Sequence, residues 1–244
     1  MDRPVVLITG GSGGIGSALA RRWHARGARL ALSGRNQPTL HALADELGAL
    51  AIPADVTDAS QVEAAVARTV DTLGGLDGVA HCVGSILLRP AHMTSDADWQ
   101  HTLTLNLTSA FFLLRAVTKQ YKGALALAYV STSAAHVGLP NHEAISAAKA
   151  GLEGLVRAAS ATYASRGVRV NAVAPGLVRT PLAARITGSE AALRTSTALH
   201  PLGRIGEPDD VARVLELLTD PANSWLTGQV IGVDGGMSTL RTMG

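Results

Sequence analysis

The segment Thr9-Gly10-Gly11-Ser12-Gly13-Gly14-Ile15-Gly16 constrains this chain more than any other, because five glycines in seven residues leave a turn almost free of side chains. The apolar run Val5–Ile8 precedes it, and residues Ile15–Arg26, with apolar side chains at helical spacing, follow. Strand, bare turn and helix in direct succession suit an anion. The glycines permit a tight turn, let a pyrophosphate approach the backbone and let the helix pack close to the sheet, while its first amides face the charge. Gly10, Ser12, Gly13, Gly14, Ile15 and Gly16 are therefore expected to line a dinucleotide site. A glycine-rich turn alone specifies little; the strand before it and the helix after it carry the reading.

The same alternation runs through the chain. Strands are expected near Val5–Thr9, Arg29–Ser33, Ala49–Pro53, Gly78–His81, Ala124–Ser131, Arg169–Ala174 and Gln229–Val233. Helical periodicity marks Ile15–Arg26, Thr39–Leu47, Ala59–Leu73, Trp99–Tyr121, His142–Arg166 and Asp209–Leu218. Strands alternating with helices predict a single doubly wound α/β domain of the Rossmann type, a seven-stranded parallel sheet with helices on both faces. At 244 residues, 47% of them hydrophobic, the chain supports one large core and no second domain. Residues Thr180 to His200 break the rhythm with Pro181 and Gly188, and read either as a cover over a site or as a surface helix.

Composition removes several function classes. Aromatic residues are 3% of the chain, and 21 Lys and Arg against 19 Asp and Glu are mixed without a basic run, so no nucleic-acid partner is expected. The longest stretch without Asp, Glu, Lys or Arg, Gly123–His142, holds Ser131, Thr132, Ser133, Asn141, two His and a Pro, which argues against a membrane span. The charged opening Met1-Asp2-Arg3 and the brief apolar run after it do not resemble a signal peptide. Cys82 is the one cysteine, so an internal disulfide is impossible; no metal site is predicted, and a reducing, cytoplasmic setting is expected.

After the second strand an acidic residue would accept hydrogen bonds from the adenosine ribose of NAD, but Leu32-Ser33-Gly34-Arg35-Asn36 offers none. Arg35 could instead hold a 2′-phosphate, which favours NADP(H) over NAD(H); the other reading lays it over the adenine or points it to solvent. Asp55, before Val56, is a candidate partner for the adenine amino group, or simply caps the turn before Thr57 and Asp58.

Together these residues resemble the short-chain dehydrogenase/reductase family over essentially the whole chain. The glycine signature is Thr9 to Gly16; Asn106 stands in Leu105-Asn106-Leu107; Pro175-Gly176, then Val178 and Thr180, follow the sixth strand; Thr227-Gly228-Gln229 and Asp234-Gly235-Gly236 lie near the C-terminus. The resemblance implies a nicotinamide-dependent oxidoreductase acting on a small molecule, assembled as a homo-oligomer, tetramer or dimer. It also implies an Asn, Ser, Tyr and Lys quartet in which Tyr precedes Lys by four. Lys149 and Asn106 match, and the Ser position is Thr132, with Ser133 beside it. The Tyr position is Ile145. Where the family carries Asn-Asn-Ala-Gly, this chain has His81-Cys82-Val83-Gly84; Val83 and Gly84 are still expected against the cofactor.

A hydrocarbon cannot exchange a proton. Either the chain has lost the chemistry and keeps NADP(H) for a binding or structural role, or another group supplies the proton. His142 is a candidate: it precedes Lys149 by seven residues, nearly the same helical face about 10 Å along the axis at ~1.5 Å per residue. The related enoyl-thioester reductases place their Tyr at that spacing, and an imidazole gives and takes protons near neutrality. The other reading makes His142 an exposed residue at the helix start, with Asn141 as N-cap. His136, on a loop, is expected to face solvent; His81 to be a structural histidine; Tyr129 and Tyr163 to be packing residues. The leading expectation is an NADPH-dependent reductase of a carbonyl or activated C=C bond: Thr132 orients the substrate oxygen, Lys149 holds the ribose, Asn106 supports Lys149 through water and His142 is the acid. The alternatives are a catalytically silent NADP(H)-binding protein and a non-redox isomerase or dehydratase that keeps the cofactor as a scaffold.

Overall fold

The computed structural model describes residues 3–241, so Met1 and Asp2 lie outside the described residues. Seven strands, β1 (Val5–Thr9), β2 (Arg29–Gly34), β3 (Leu50–Pro53), β4 (Gly78–His81), β5 (Leu125–Val130), β6 (Val168–Pro175) and β7 (Val230–Val233), form one sheet in the order β3-β2-β1-β4-β5-β6-β7. Every pairing is parallel. The order reverses between β1 and β4, which opens a crevice at the carboxyl ends of those strands. The strands β1, β4 and β6 are buried along their whole length, which explains why they show no apolar–polar alternation; the buried Arg169 and Asn171 of β6 donate to backbone carbonyls of the C-terminal segment.

Successive strand residues serve opposite faces. Val6 and Ile8 of β1 pack with Leu19 and Trp23 of α1 (Gly14–Ala25), Leu40 and Leu43 of α2 (Gln37–Leu47), and Leu215 and Leu218 of a C-terminal helix at Pro208–Thr219. Leu7 packs on the other face with Val66 of α3 (Ala59–Leu73), and with Leu113 and Leu152 from helices described next. Local signals set the ends: Asn36 and Asp58 cap α2 and α3 through their side chains, and Gly48 and Gly74 end them in the left-handed conformation.

Two elements differ from the periodicity reading. The single helix expected at Trp99–Tyr121 is α4 (Asp96–Leu103) and α5 (Ser109–Gln120), joined by a π-turn at Thr104–Thr108. Ser95 starts α4 early by accepting the Asp98 amide. Within the wider turn the Asn106 side-chain amide donates to Thr102 O at 2.9 Å, supplying the carbonyl one turn back that a regular helix would satisfy with backbone N–H. The helix α6 (Glu143–Tyr163) has His142, not Asn141, as N-cap; Asn141 sits at φ 66°, a left-handed conformation that asparagine tolerates. The Thr180–His200 segment contains the short helices α7 (Ala184–Thr187) and α8 (Glu190–Ala198), and α9 is Pro208–Thr219.

Candidate active site

The glycine turn shows why other residues would not serve there. Gly10 has φ 69°, and a Cβ on it would meet Cys82 O at 2.8 Å; a Cβ on Gly16 would overlap Gly10 O. A Cβ on Gly14 would lie 2.7 Å from the Thr180 methyl. The first backbone bond into α1 is from Ser17 N–H to Gly13 O, so the amides before it have no partner inside the helix. Bare backbone, first-turn amides and the crevice beside them suit a pyrophosphate. Ser12 flanks Gly34 at the end of β2. Arg35 is exposed, with Nη1 3.8 Å from Asp55 Oδ2, a long and solvent-screened pair that leaves the guanidinium available. Asp55 Oδ1 accepts from both the backbone and the hydroxyl of Thr57, which hold its carboxyl below the usual range, so it caps that turn. The side chain of Val56 is in the core.

Deeper in the crevice, a cleft of about 150 Å³ is lined by Ile15, Val83, Gly84, Asn106, Lys149 and Pro175, with Val178 and Thr180 at its far wall. A Cβ on Gly84 would reach 3.0 Å from Asn106 Oδ1 and 3.5 Å from Lys149 Nζ, so this glycine keeps the cleft open. Asn106 is fully buried: Oδ1 accepts Ser85 N–H, and Nδ2 spends both its protons on Ser85 Oγ and Thr102 O. Its direct partners are therefore the Ser85 loop and its own helix, while Lys149 Nζ donates to Val130 O at 2.7 Å. Burial lowers the Lys149 ammonium to about 8.

A second chamber, of about 190 Å³, adjoins the cleft. Ile86, Thr132, Ile145, Gly176 and Leu177 line both spaces. Its other walls are largely apolar, with Leu139, Ile186, Leu199 and Met237 among them, so the 180–200 segment covers part of it. Ile145 is 5% exposed and stands where the two spaces meet. Thr132 Oγ1 accepts the Ala134 amide, which leaves its proton free to donate; the Ser133 hydroxyl is turned to Met237 Sδ.

The histidines differ sharply. His142 lines the chamber; its Nδ1–H donates to Pro140 O at 2.8 Å, leaving Nε2 as the nitrogen without a protein partner. His200 also lines it, but Nδ1–H donates to Ser196 O and Nε2 accepts Leu177 N–H, so both nitrogens are occupied. His81 is buried between Thr9 Oγ1 and Ser109 Oγ, and burial pushes it down to about 3, which makes it a neutral structural histidine. Tyr129 donates its hydroxyl to Ala110 O inside the core, and Tyr163 lies under the Arg166 guanidinium. His136 is exposed, as expected for a loop residue, and its Nε2–H also donates to Glu153 Oε2 at 2.9 Å, a partner the loop position did not reveal. Glu153, one turn after Lys149, went unremarked in the sequence because a carboxylate on a helix usually reads as a solvated face. Met237 was equally silent, since nothing local shows that the C-terminal segment folds back on the chamber. Among the described residues no cluster suits a metal, and no helix is long and apolar enough to cross a membrane.

Known proteins resemble this chain over nearly its whole length. The model of the family described as enoyl-(acyl carrier protein) reductase matches residues 10–238. Galactitol 2-dehydrogenase (L-tagatose-forming) of Cereibacter sphaeroides is 35% identical over 243 residues, covering 97% of this chain and 95% of that protein. A short-chain type dehydrogenase/reductase from Mycobacterium ulcerans superposes with a TM-score of 0.92 at 33% identity, covering 99% of this chain and 91% of that one. Two further structures contain cofactor. A variant actinorhodin polyketide ketoreductase holds NADPH (TM-score 0.91, 28% identity, 98% of both chains). A 3-ketoacyl-(acyl-carrier-protein) reductase from Brucella melitensis holds NADH (TM-score 0.90, 25% identity, 96% and 98% of the two chains). With the family model matching residues 10–238 and relatives at 33–35% identity over nearly the whole length, the chain belongs to the short-chain dehydrogenase/reductase family of nicotinamide-dependent oxidoreductases.

Proposed function

We propose that this protein is an NADPH-dependent reductase of a small, uncharged carbonyl compound or activated C=C bond, with His142 in place of the family's tyrosine as proton donor. One observation carries the reading: buried Ile145 occupies the position four before Lys149, and beside it the Thr132 hydroxyl and the His142 imidazole both line an apolar chamber continuous with the cofactor cleft. Bound in the cleft, a reduced nicotinamide supplies hydride. The amides around Gly13 to Gly16 hold the pyrophosphate and Arg35 the 2′-phosphate, in the absence of any acidic residue at the end of β2. Val83, Gly84, Pro175, Gly176, Val178 and Thr180 shape the nicotinamide end, and Lys149, anchored on Val130 O, keeps two further N–H groups for the ribose.

Thr132 donates its free hydroxyl proton to the substrate oxygen and so fixes its orientation. His142, held by Pro140 O through Nδ1–H, gives a proton from Nε2 as negative charge develops on the substrate, and regains it from solvent at the rim. Asn106 keeps Ser85 and the cleft wall in place. No Arg, Lys, Asp or Glu lines the chamber, and its 190 Å³ lies below the ~300–1,000 Å³ of drug-sized sites, so a small neutral substrate fits best. Exposed Phe111 on α5 and fully exposed Trp225 support assembly as a homo-oligomer, and the single cysteine suits a reducing cytoplasm.

The test is NADPH oxidation by the purified protein with a panel of ketones, quinones and α,β-unsaturated carbonyls, NADH run in parallel. His142→Ala is expected to lower kcat by about 100-fold or more, the scale of a lost general acid, with NADPH affinity unchanged. Turnover unaffected by His142→Ala would remove it from the mechanism, and wild-type silence with NADPH bound would favour a binding role.

A further inference from the structure

Glu153 has no part in the reading above, yet it is 6% exposed, and a buried carboxylate needs a reason. Its two oxygens are divided between the two ends of one short segment. Ser131 Oγ donates to Oε1 at 2.6 Å, and His136 Nε2–H donates to Oε2 at 2.9 Å. Between those ends sit Thr132, which lines both chamber and cleft, and Ala134, whose carbonyl accepts Ser146 Oγ from the first turn of α6 at 2.8 Å. The segment Ser131–His136 is thus held to α6 at three points, two of them on one carboxylate.

We propose that Glu153 is a positioning residue that sets the Thr132 hydroxyl against the cofactor cleft, with His136 as the outer half of its clamp. The inference rests on the reductase reading for its catalytic consequence. The helix that carries the clamp also carries Ile145 and Lys149, so fixing the segment to α6 fixes Thr132 relative to the lysine at the cleft. A close-packed apolar side chain would fill this volume without the desolvation cost of a carboxylate, so what Glu153 adds is geometry. The segment follows β5 as a single 3₁₀ turn, Ser133–Ala135, and one such turn has few backbone bonds of its own to hold a hydroxyl in place. The other ionisable groups near the clamp are Lys149, one turn back on α6, Arg157, one turn on, and Arg241, which lines the same outer groove as His136.

The test compares Glu153→Leu, Glu153→Gln and His136→Ala in the full chain by amide hydrogen exchange and by kinetics. Glu153→Leu is expected to speed exchange in residues 131–139 while the sheet core exchanges as in the wild type, and to lower kcat by on the order of 10- to 100-fold, the effect of a displacement near 1 Å, with the Kd for NADPH unchanged. Glu153→Gln, which can still accept from Ser131, restores most of kcat, and His136→Ala produces a milder form of the same pattern. Segment exchange unchanged in Glu153→Leu, or faster exchange with kcat unaltered, overturns the proposal; so does a uniform rise in exchange across the chain, which marks a residue of general stability. If the wild type turns over no substrate, the reductase reading fails by that result, and the exchange data decide independently whether the clamp exists.

Discussion

Acid should begin to destabilise this protein through His81 before most carboxylates are protonated. The imidazole is 1% exposed, with Thr9 Oγ1 2.7 Å from Nδ1 and Ser109 Oγ 3.1 Å from Nε2. Ser109 already donates to Leu105 O, so it accepts from Nε2–H, and Thr9 supplies the proton that faces Nδ1. A second ring proton would displace the Thr9 donor and place a charge in the core near Lys149, which is why the group falls from 6.5 to about 3. Between those values the unfolded chain binds the proton and the folded chain does not, so stability is present above the unfolded value and is lost as pH falls toward 3. At about 1.4 kcal/mol per unit the full effect is about 5 kcal/mol, and near pH 5 it is already about 2 kcal/mol. Urea unfolding at a series of pH values measures it, with His81→Gln as the partner experiment: glutamine keeps a donor and an acceptor but does not ionise. The variant should start less stable at neutral pH, through imperfect packing, and then lose stability less steeply on acidification. Parallel curves for the two proteins would refute the reasoning.

Three other outcomes follow from the same structure. Arg35→Glu should weaken NADPH binding by about 10- to 100-fold, the worth of one or two charged hydrogen bonds, and leave NADH binding nearly unchanged; equal losses in a fluorescence titration would place Arg35 away from the 2′-phosphate. Trp23→Ala should cost about 3–5 kcal/mol in denaturant unfolding, because loss of a fully buried indole that packs α1 on α9 leaves a cavity and removes the hydrogen bond Thr219 Oγ1 accepts, while that hydroxyl still donates to Leu215 O. The Cys82 thiol, pushed up to about 12 by desolvation although it is only half-buried beside the cleft, should react slowly with iodoacetamide at neutral pH in the native protein and faster on unfolding; rapid native labelling would show that the thiolate forms readily at the cleft wall.

The fold was legible because its signals are local. Short strand runs rich in Val, Leu, Ile and Ala, helices with caps at Asn36 and Asp58, and glycines where a Cβ would strike Cys82 O or Gly10 O each need only a few neighbouring residues to be read. The cofactor cleft shares that legibility, since its walls are the turns at the strand ends. What escaped was whatever depends on partners distant in sequence or on a carbonyl's second demand: the π-turn at Thr104–Thr108, relieved by Asn106's own side chain, and the Glu153 clamp, whose partners are 22 and 17 residues away. His136 is exposed, as its loop position suggests, and only its carboxylate partner was hidden, because the helix that supplies Glu153 must be in place before the pair can be seen.

The chamber narrows the source of the proton by the state of each group around it. Thr132 has a free hydroxyl, but an alkanol is far too weak an acid to complete a reduction unaided. The Lys149 ammonium lies on the cofactor side with one N–H committed to Val130 O, and it lines the cleft rather than the chamber. His200 spends one nitrogen as donor and the other as acceptor, so it would have to break the Leu177 amide bond before it could gain or lose a proton at Nε2. His81 is neutral and sealed. Among the described residues that line the chamber, His142 alone combines an imidazole nitrogen without a protein partner with a second nitrogen tied down, so that the ring keeps its orientation. Ile145 then has a physical place in the same scheme. It fills the space between cleft and chamber with hydrocarbon, excluding water there, and in a dry site the charge that develops on a substrate oxygen is met most strongly by the few donors already aimed at it.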